Sequence, residues 1–237
     1  MNAVPVMLSW SGGKDSALAL HALRQDPHYE VRGLLTSVNA RYQRISMHGV
    51  REALLDAQAE SLGLPLHKVR LSEQPSNEEY QQKMRAILET FKAQDIRHVA
   101  FGDLFLDDIR RYRENSLAPL QMQCMFPLWH RPTDKLAREF IALAFKALLC
   151  CVDGQALSGG FAGREYDETL LRELPAGVDA CGENGEFHTF VYAGPIFRHC
   201  IAFRRGRQVR RDHRFYFCDL IPTEAHHEHL ATAVHCR

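Results

Sequence analysis

The feature that most narrows the fold of this 237-residue chain lies at its amino end. An apolar run over residues 4–10 leads into Ser9-Trp10-Ser11-Gly12-Gly13-Lys14-Asp15-Ser16, and residues 16–24 continue with helical spacing. Strand, tight turn and helix follow without a spare residue. Adjacent glycines let the backbone turn sharply and aim successive N–H groups into one concavity, which suits an anion. A helix opening near Asp15 adds its positive end. Ser9, Ser11 and Ser16 supply hydroxyls, and Lys14 supplies a charge that can lie across phosphate oxygens. A merely capped turn would explain the serines and the aspartate. It does not explain why Gly12, Gly13 and Lys14 coincide with them behind a strand.

This is not a Walker A loop, which needs a glycine where Leu8 stands and a Ser or Thr where Asp15 stands. The rest of the first 130 residues alternates apolar runs with helical patterns. Strands are expected at residues 31–38, 66–71, 98–101 and 124–128. Helices are expected from residue 50, carrying Leu54, Leu55, Ala59 and Leu62, and from residue 76, carrying Tyr80, Met84, Ile87, Leu88 and Phe91. Alternation of this kind predicts an α/β fold, a parallel sheet with helices on both faces. After about residue 131 the texture changes. A helix is expected at 136–149, glycine-bearing loops at 154–163, and β-like runs from 187 on. A hairpin is expected with its turn at Arg205-Gly206-Arg207-Gln208. The expected organisation is a nucleotide-binding domain at 1–130, a smaller α+β domain at 131–221 and a flexible His-rich tail at 222–237.

Twenty-nine basic residues balance 29 acidic ones, so the formal net charge is zero. A chain that works mainly by gripping nucleic acid usually carries a basic excess, and this one does not. Arg204, Arg205, Arg207, Arg210 and Arg211 form a local exception, read either as an RNA contact or as a solvated hairpin. Seven cysteines, an odd number without a C-x-x-C pair, predict free thiols and a cytoplasmic setting. The longest apolar stretch, 140–152, is interrupted by Lys146 and falls short of the ~20 residues a membrane span needs.

Ligands of open parallel sheets sit beyond the carboxyl ends of the strands. Two segments stand there: Ser46-Met47-His48, suited to flank a base or sugar, and Gly102-Asp103, with Arg113 and Glu114 further on. Asp103 and Asp15 are expected Mg²⁺ contacts, since that ion takes few carboxylates plus phosphate oxygens. A second dense segment is Cys181-Gly182-Glu183-Asn184-Gly185-Glu186-Phe187-His188-Thr189. So many hydrogen-bonding groups are costly to bury without partners; an exposed turn is the alternative.

The S-G-G-K-D-S segment resembles the pyrophosphate loop of the adenine nucleotide α-hydrolase-like (HUP, Rossmann-like) superfamily. Joined to Ser46-Met47-His48, Gly102-Asp103 and residues 182–189, it resembles the diphthine–ammonia ligase family, over residues 7–220. Asn184 departs from the family pattern, which has Gly there, and the chain is closer to the bacterial branch. The resemblance implies ATP and Mg²⁺, with AMP and pyrophosphate as products. It also implies adenylation of a small-molecule or protein-borne carboxylate, followed by attack of ammonia. Ser9, Ser11, Gly12, Gly13, Lys14, Asp15, Ser16, Met47, His48 and Gly102 would hold the nucleotide. Lys14, Asp103, Glu183, Glu186 and His188 would be catalytic, with His188 the expected base near neutral pH. Homo-oligomerisation is left open. The competing readings are a non-catalytic ATP sensor and an RNA-modifying enzyme with the same loop.

Overall fold

The structure, a computed structural model, describes residues 3–45 and 48–223. In chain order it comprises β1 (Val4–Ser9), α1 (Lys14–Gln25), β2 (Tyr29–Asn39), β3 (Arg44–Ile45), α2 (Glu52–Leu62), β4 (Leu66–Leu71), α3 (Asn77–Ala93), β5 (His98–Ala100) and α4 (Asp107–Leu117). Then follow β6 (Gln123–Met125), α5 (Thr133–Ala142), β7 (Lys146–Asp153), α6 (Glu168–Glu173), β8 (Phe187–Ala193), β9 (Phe203–Arg211) and β10 (Phe215–Pro222). Ser46, Met47 and the expected tail from residue 224 on lie outside the described residues. No described helix is long and apolar enough to cross a membrane.

β1, β2, β4, β5 and β6 pair in parallel in the order β4-β2-β1-β5-β6, with β3 turned back antiparallel onto the end of β2. This is the Rossmann-like arrangement expected from the alternation of patterns. The strand order reverses between β1 and β5, so their carboxyl ends open a crevice at that point. Both strands empty into it, β1 through Ser11 to Ser16 and β5 through Gly102 and Asp103.

The second sheet is antiparallel, in the order β8-β7-β10-β9. Two expectations fail here. The helix expected over 136–149 ends at Ala142, and the chain reverses through Ala144 at φ 60°. Lys146–Asp153 is then a strand, buried at every residue after Lys146. A continuous apolar run does not by itself distinguish a buried strand from a buried helix, and here the strand prevails. The hairpin turn is also displaced. Arg205 to Gln208 lie inside β9, and the chain turns at Asp212 and His213, both at φ 50°. Positive φ at two successive residues matches the right-handed twist of a hairpin. Gly206 instead marks an irregularity opposite Asp219.

One hydrophobic core runs through both sheets, joining Leu8, Leu54 and Ala17 to Phe140, Leu148, Phe190 and Leu220. At its centre is Gln58 of α2, fully buried. Its carbonyl oxygen accepts from Trp10 Nε1 at 2.9 Å, and its amide nitrogen donates to the carbonyls of Gly12 (3.1 Å) and Val191 (2.6 Å). Indole can only donate and carbonyls can only accept, so the amide has one satisfactory orientation. Val191 N also donates to Gly12 O at 2.9 Å. The phosphate loop is thus tied to β8.

Replacing Gln58 with Leu strands the buried Trp10 indole donor and takes one hydrogen bond each from the Gly12 and Val191 carbonyls, the former keeping Val191 N. The expected cost is about 3 kcal/mol, a fall in Tm of roughly 10 °C, read by thermal unfolding.

Candidate active site

A cavity of about 660 Å³ occupies the crevice. Its polar end is lined by Ser9, Ser11, Lys14, Asp15 and Ser16, by Gly102 and Asp103, and by Glu183, His188 and Thr189, with His48 at the side. Elsewhere its lining mixes Leu35, Val99, Phe101, Met84 and Leu88 with Gln81, Arg85, Asn115 and Ser116. The two dense segments of the sequence, some 170 residues apart, therefore face one space.

The loop geometry explains its glycines. Gly12 sits at φ +76°, and a Cβ there would come within 2.8 Å of Gln58 Oε1. Gly102 lets β5 reach the start of α1, since a Cβ would lie 2.8 Å from the Asp15 carbonyl carbon. Ser11 Oγ and Ser16 Oγ are 3.2 Å apart. One amide differs from expectation: Lys14 N donates to Thr189 Oγ1 at 3.0 Å, so the second sheet takes that donor.

Lys14 is buried with its Nζ on both Asp15 carboxylate oxygens, at 2.9 and 2.8 Å, and on the Cys181 carbonyl. Burial disfavours the ammonium, but the adjoining Asp15 carboxylate outweighs it and holds the Lys14 pKa above its ordinary value. Burial raises Asp15 in spite of Lys14. Glu183 Oε1 accepts from Leu104 N at 2.7 Å. Burial, aided by nearby Asp15 and Asp103, pushes its carboxyl up to about 7, against the Leu104 bond and Lys14.

His48 and His188 stack with ring centroids 4.5 Å apart. His48 Nδ1 lies 3.2 Å from Thr189 O, and a carbonyl requires the proton on that nitrogen. Burial, and secondarily His188, lowers His48 well below the usual histidine range. Burial and Lys14 bring His188 down to about 4. The carboxyl of Glu183, rather than the imidazole of His188, is the group matched to neutral pH. His188 Nε2 is buried without a partner among the described residues.

Glu186 lies behind the loop instead of in the cavity. Its Oε1 accepts from Asp179 N and from Asn184 Nδ2, both at 3.0 Å. Asp179, absent from the expected site, organises the loop. Its carboxylate accepts from Cys181 N (2.9 Å), Glu183 N (3.2 Å) and Thr133 Oγ1 (2.6 Å). Asp103 faces the cavity with Arg113 Nε 3.4 Å away. No group of three or more His, Cys, Asp or Glu side chains able to hold a metal gathers among the described residues. The adjacent thiols Cys150 and Cys151 are buried in β7, and burial raises both pKa values, that of Cys151 to about 12. Neither provides the thiolate that sulfur transfer would need.

Two family models match the chain: the diphthamide synthase N-terminal domain at residues 4–117 and the diphthamide synthase C-terminal domain at residues 132–220. The chain is 27% identical over 219 residues to a diphthine–ammonia ligase of Mus musculus, covering 79% of this chain and 78% of the relative. That of Rattus norvegicus is 28% identical over 217 residues, with the same coverage. That of Danio rerio is 30% identical over 217 residues, covering 79% and 82%.

Between its ordinary value of 4.5 and about 7, Glu183 keeps in the folded protein a proton that the unfolded chain has released. Such a group costs the folded state more as pH rises through that window. Glu183→Gln should therefore gain stability relative to wild type between about pH 5 and about pH 8, measured by urea unfolding at both. A constant gap would refute the raised proton affinity.

Proposed function

The chain belongs to the diphthamide synthase family, and from that premise we propose that it is an ATP-dependent ligase that converts a carboxylate into an amide with ammonia, releasing AMP and pyrophosphate. The observation that carries the reading is the single cavity shared by the phosphate loop and the Glu183–Thr189 segment. Its apolar lining residues, such as Leu35, Val99 and Phe101, suit a base, and its polar end suits the triphosphate. The relatives are diphthine–ammonia ligases by name, and the acceptor assigned here is a carboxylate presented by a polypeptide.

In the first step an acceptor oxygen attacks the α-phosphorus, and the bond to the bridging oxygen of the β-phosphate breaks. Pyrophosphate departs against Ser11, Ser16 and the opening of α1, beside the charge that Asp15 preserves on Lys14. Both Asp15 oxygens are engaged by Lys14, whereas Asp103 faces the polar end and would hold Mg²⁺, which needs few carboxylates when phosphates supply its other ligands. When bound it would offset the developing negative charge. In the second step ammonia attacks the acyl carbon of the mixed anhydride and AMP leaves. Glu183, whose proton affinity lies near neutrality, takes the proton released from nitrogen. His48 and His188 stay neutral and can hold ammonia by hydrogen bonds without adding a cation. Glu186 acts by holding Asn184 and Asp179 in place. Catalysis in this scheme is positioning plus electrostatics, and no covalent enzyme nucleophile is used.

Cell extract supplied with the enzyme, ATP, Mg²⁺ and ammonium should yield AMP, pyrophosphate and an acid-to-amide mass change on a protein. ADP as product would overturn the reading. Lys14→Ala and Ser16→Ala should each slow pyrophosphate release by roughly a hundredfold. Wild-type rates in both would remove the loop from the mechanism.

A further inference from the structure

Five of the nine residues of β9 are arginines, in a chain whose net charge is zero. β9 is an edge strand, paired with β10 alone among the described strands. Beside it opens a groove of about 580 Å³, lined by Arg204, Arg207 and Arg211 from β9 and by Phe217 of β10, with Arg44 and Gly49 opposite. Its single acidic residue, Asp219, is already shared between Arg44 (2.8 Å) and Arg51 (2.7 Å). Arg204, Arg207 and Arg211 have no carboxylate partner among the described residues, and Arg211 lies over the Phe217 ring at 5.4 Å. Among the described residues the groove therefore holds an uncompensated positive charge.

It also borders the active site. Ile45 and His48 line the cavity, whereas Arg44 and Gly49 line the groove. The Phe217 ring closes on Gly49 so tightly that a Cβ there would lie 2.6 Å from it. Residues 44–45 and 48–49 thus contribute to the walls of both spaces.

We propose that this groove docks the polypeptide that carries the acceptor carboxylate, through an acidic, extended segment added alongside β9. The proposal rests on the ligase reading and supplies its partner surface. An edge strand offers a row of backbone donors and acceptors, and alternate residues of an added strand recur every ~6.8 Å, bringing alternate carboxylates to the guanidinium groups. Exposed Val209 lies on the same face, between Arg207 and Arg211. Arginines also keep an edge strand from pairing with a second copy of itself. An acidic segment neutralises the same charge that repels the copy. RNA fits less well, because Phe215, Tyr216 and Phe217 each already carry a guanidinium over one face, from Arg214, Arg210 and Arg211.

The test is fluorescence anisotropy with the full chain, a labelled peptide of alternating Glu and Val, and an oligouridylate of equal charge. The peptide should bind, more tightly than the RNA. The double variant Arg207→Glu/Arg211→Glu should weaken peptide binding at least roughly tenfold while Tm and ATP binding stay unchanged. No peptide binding, undiminished binding by the variant, or tighter binding of the RNA would each overturn the proposal. ATP titration of the same wild-type sample keeps the two readings apart. Peptide bound without ATP counts against the ligase and for the groove; ATP bound without peptide does the reverse.

Discussion

The Gln58 side chain is a small group with a large span of influence. It has one acceptor and two donors, and all three are satisfied by groups from two distant segments: the Trp10 indole and Gly12 carbonyl of the phosphate loop, and the Val191 carbonyl of β8. Because the residue is fully buried, water cannot substitute for any of them. The position of the phosphate loop relative to β8 follows. From β8 come Thr189, which occupies the Lys14 amide, and His188, which stacks on His48. Loosening this joint would separate two halves of a site without removing any residue from either.

The cavity then acts on the charges it encloses. Lys14 stays protonated because Asp15 is placed against it, and two imidazoles stay neutral because burial denies them a proton. Glu183 is left close to balance at neutral pH. These displacements suit a reaction in which an anion must leave, a neutral amine must attack and one proton must be collected. Each traces to burial and to a neighbouring ionisable group, so the chemistry depends on the packing.

Much of this was legible in the sequence because local patterns sufficed. The phosphate loop needs adjacent glycines between a strand and a helix, and the parallel strands announce themselves by apolar runs separated by helical spacing. Residues 136–149 read as helix because Phe140 to Val152 is apolar but for Lys146, and periodicity does not register a strand buried on both faces. The hairpin turn was misplaced because Gly206 resembles a turn residue, while Asp212 and His213 adopt positive φ without a glycine. Gln58 did leave a trace. It lies four residues after Leu54 and three after Leu55, hence on the apolar face of α2, and a polar residue there asks for buried partners. Its partners, 48 and 133 residues away, were not visible in any local window. Asp179 and Glu186 show the converse difficulty: an acid that braces a loop looks the same in sequence as one that faces substrate.

The interior shared by the two sheets has a further meaning for how such a protein is inherited. Leu8 and Leu54 reach the same apolar mass as Phe140, Phe190 and Leu220, so neither half owns a complete interior. A recombination that separated them would leave each with a greasy flank bare to water. The genetic unit on which selection acts is accordingly the pair, and a drift in side-chain size on one side constrains what the other can accept.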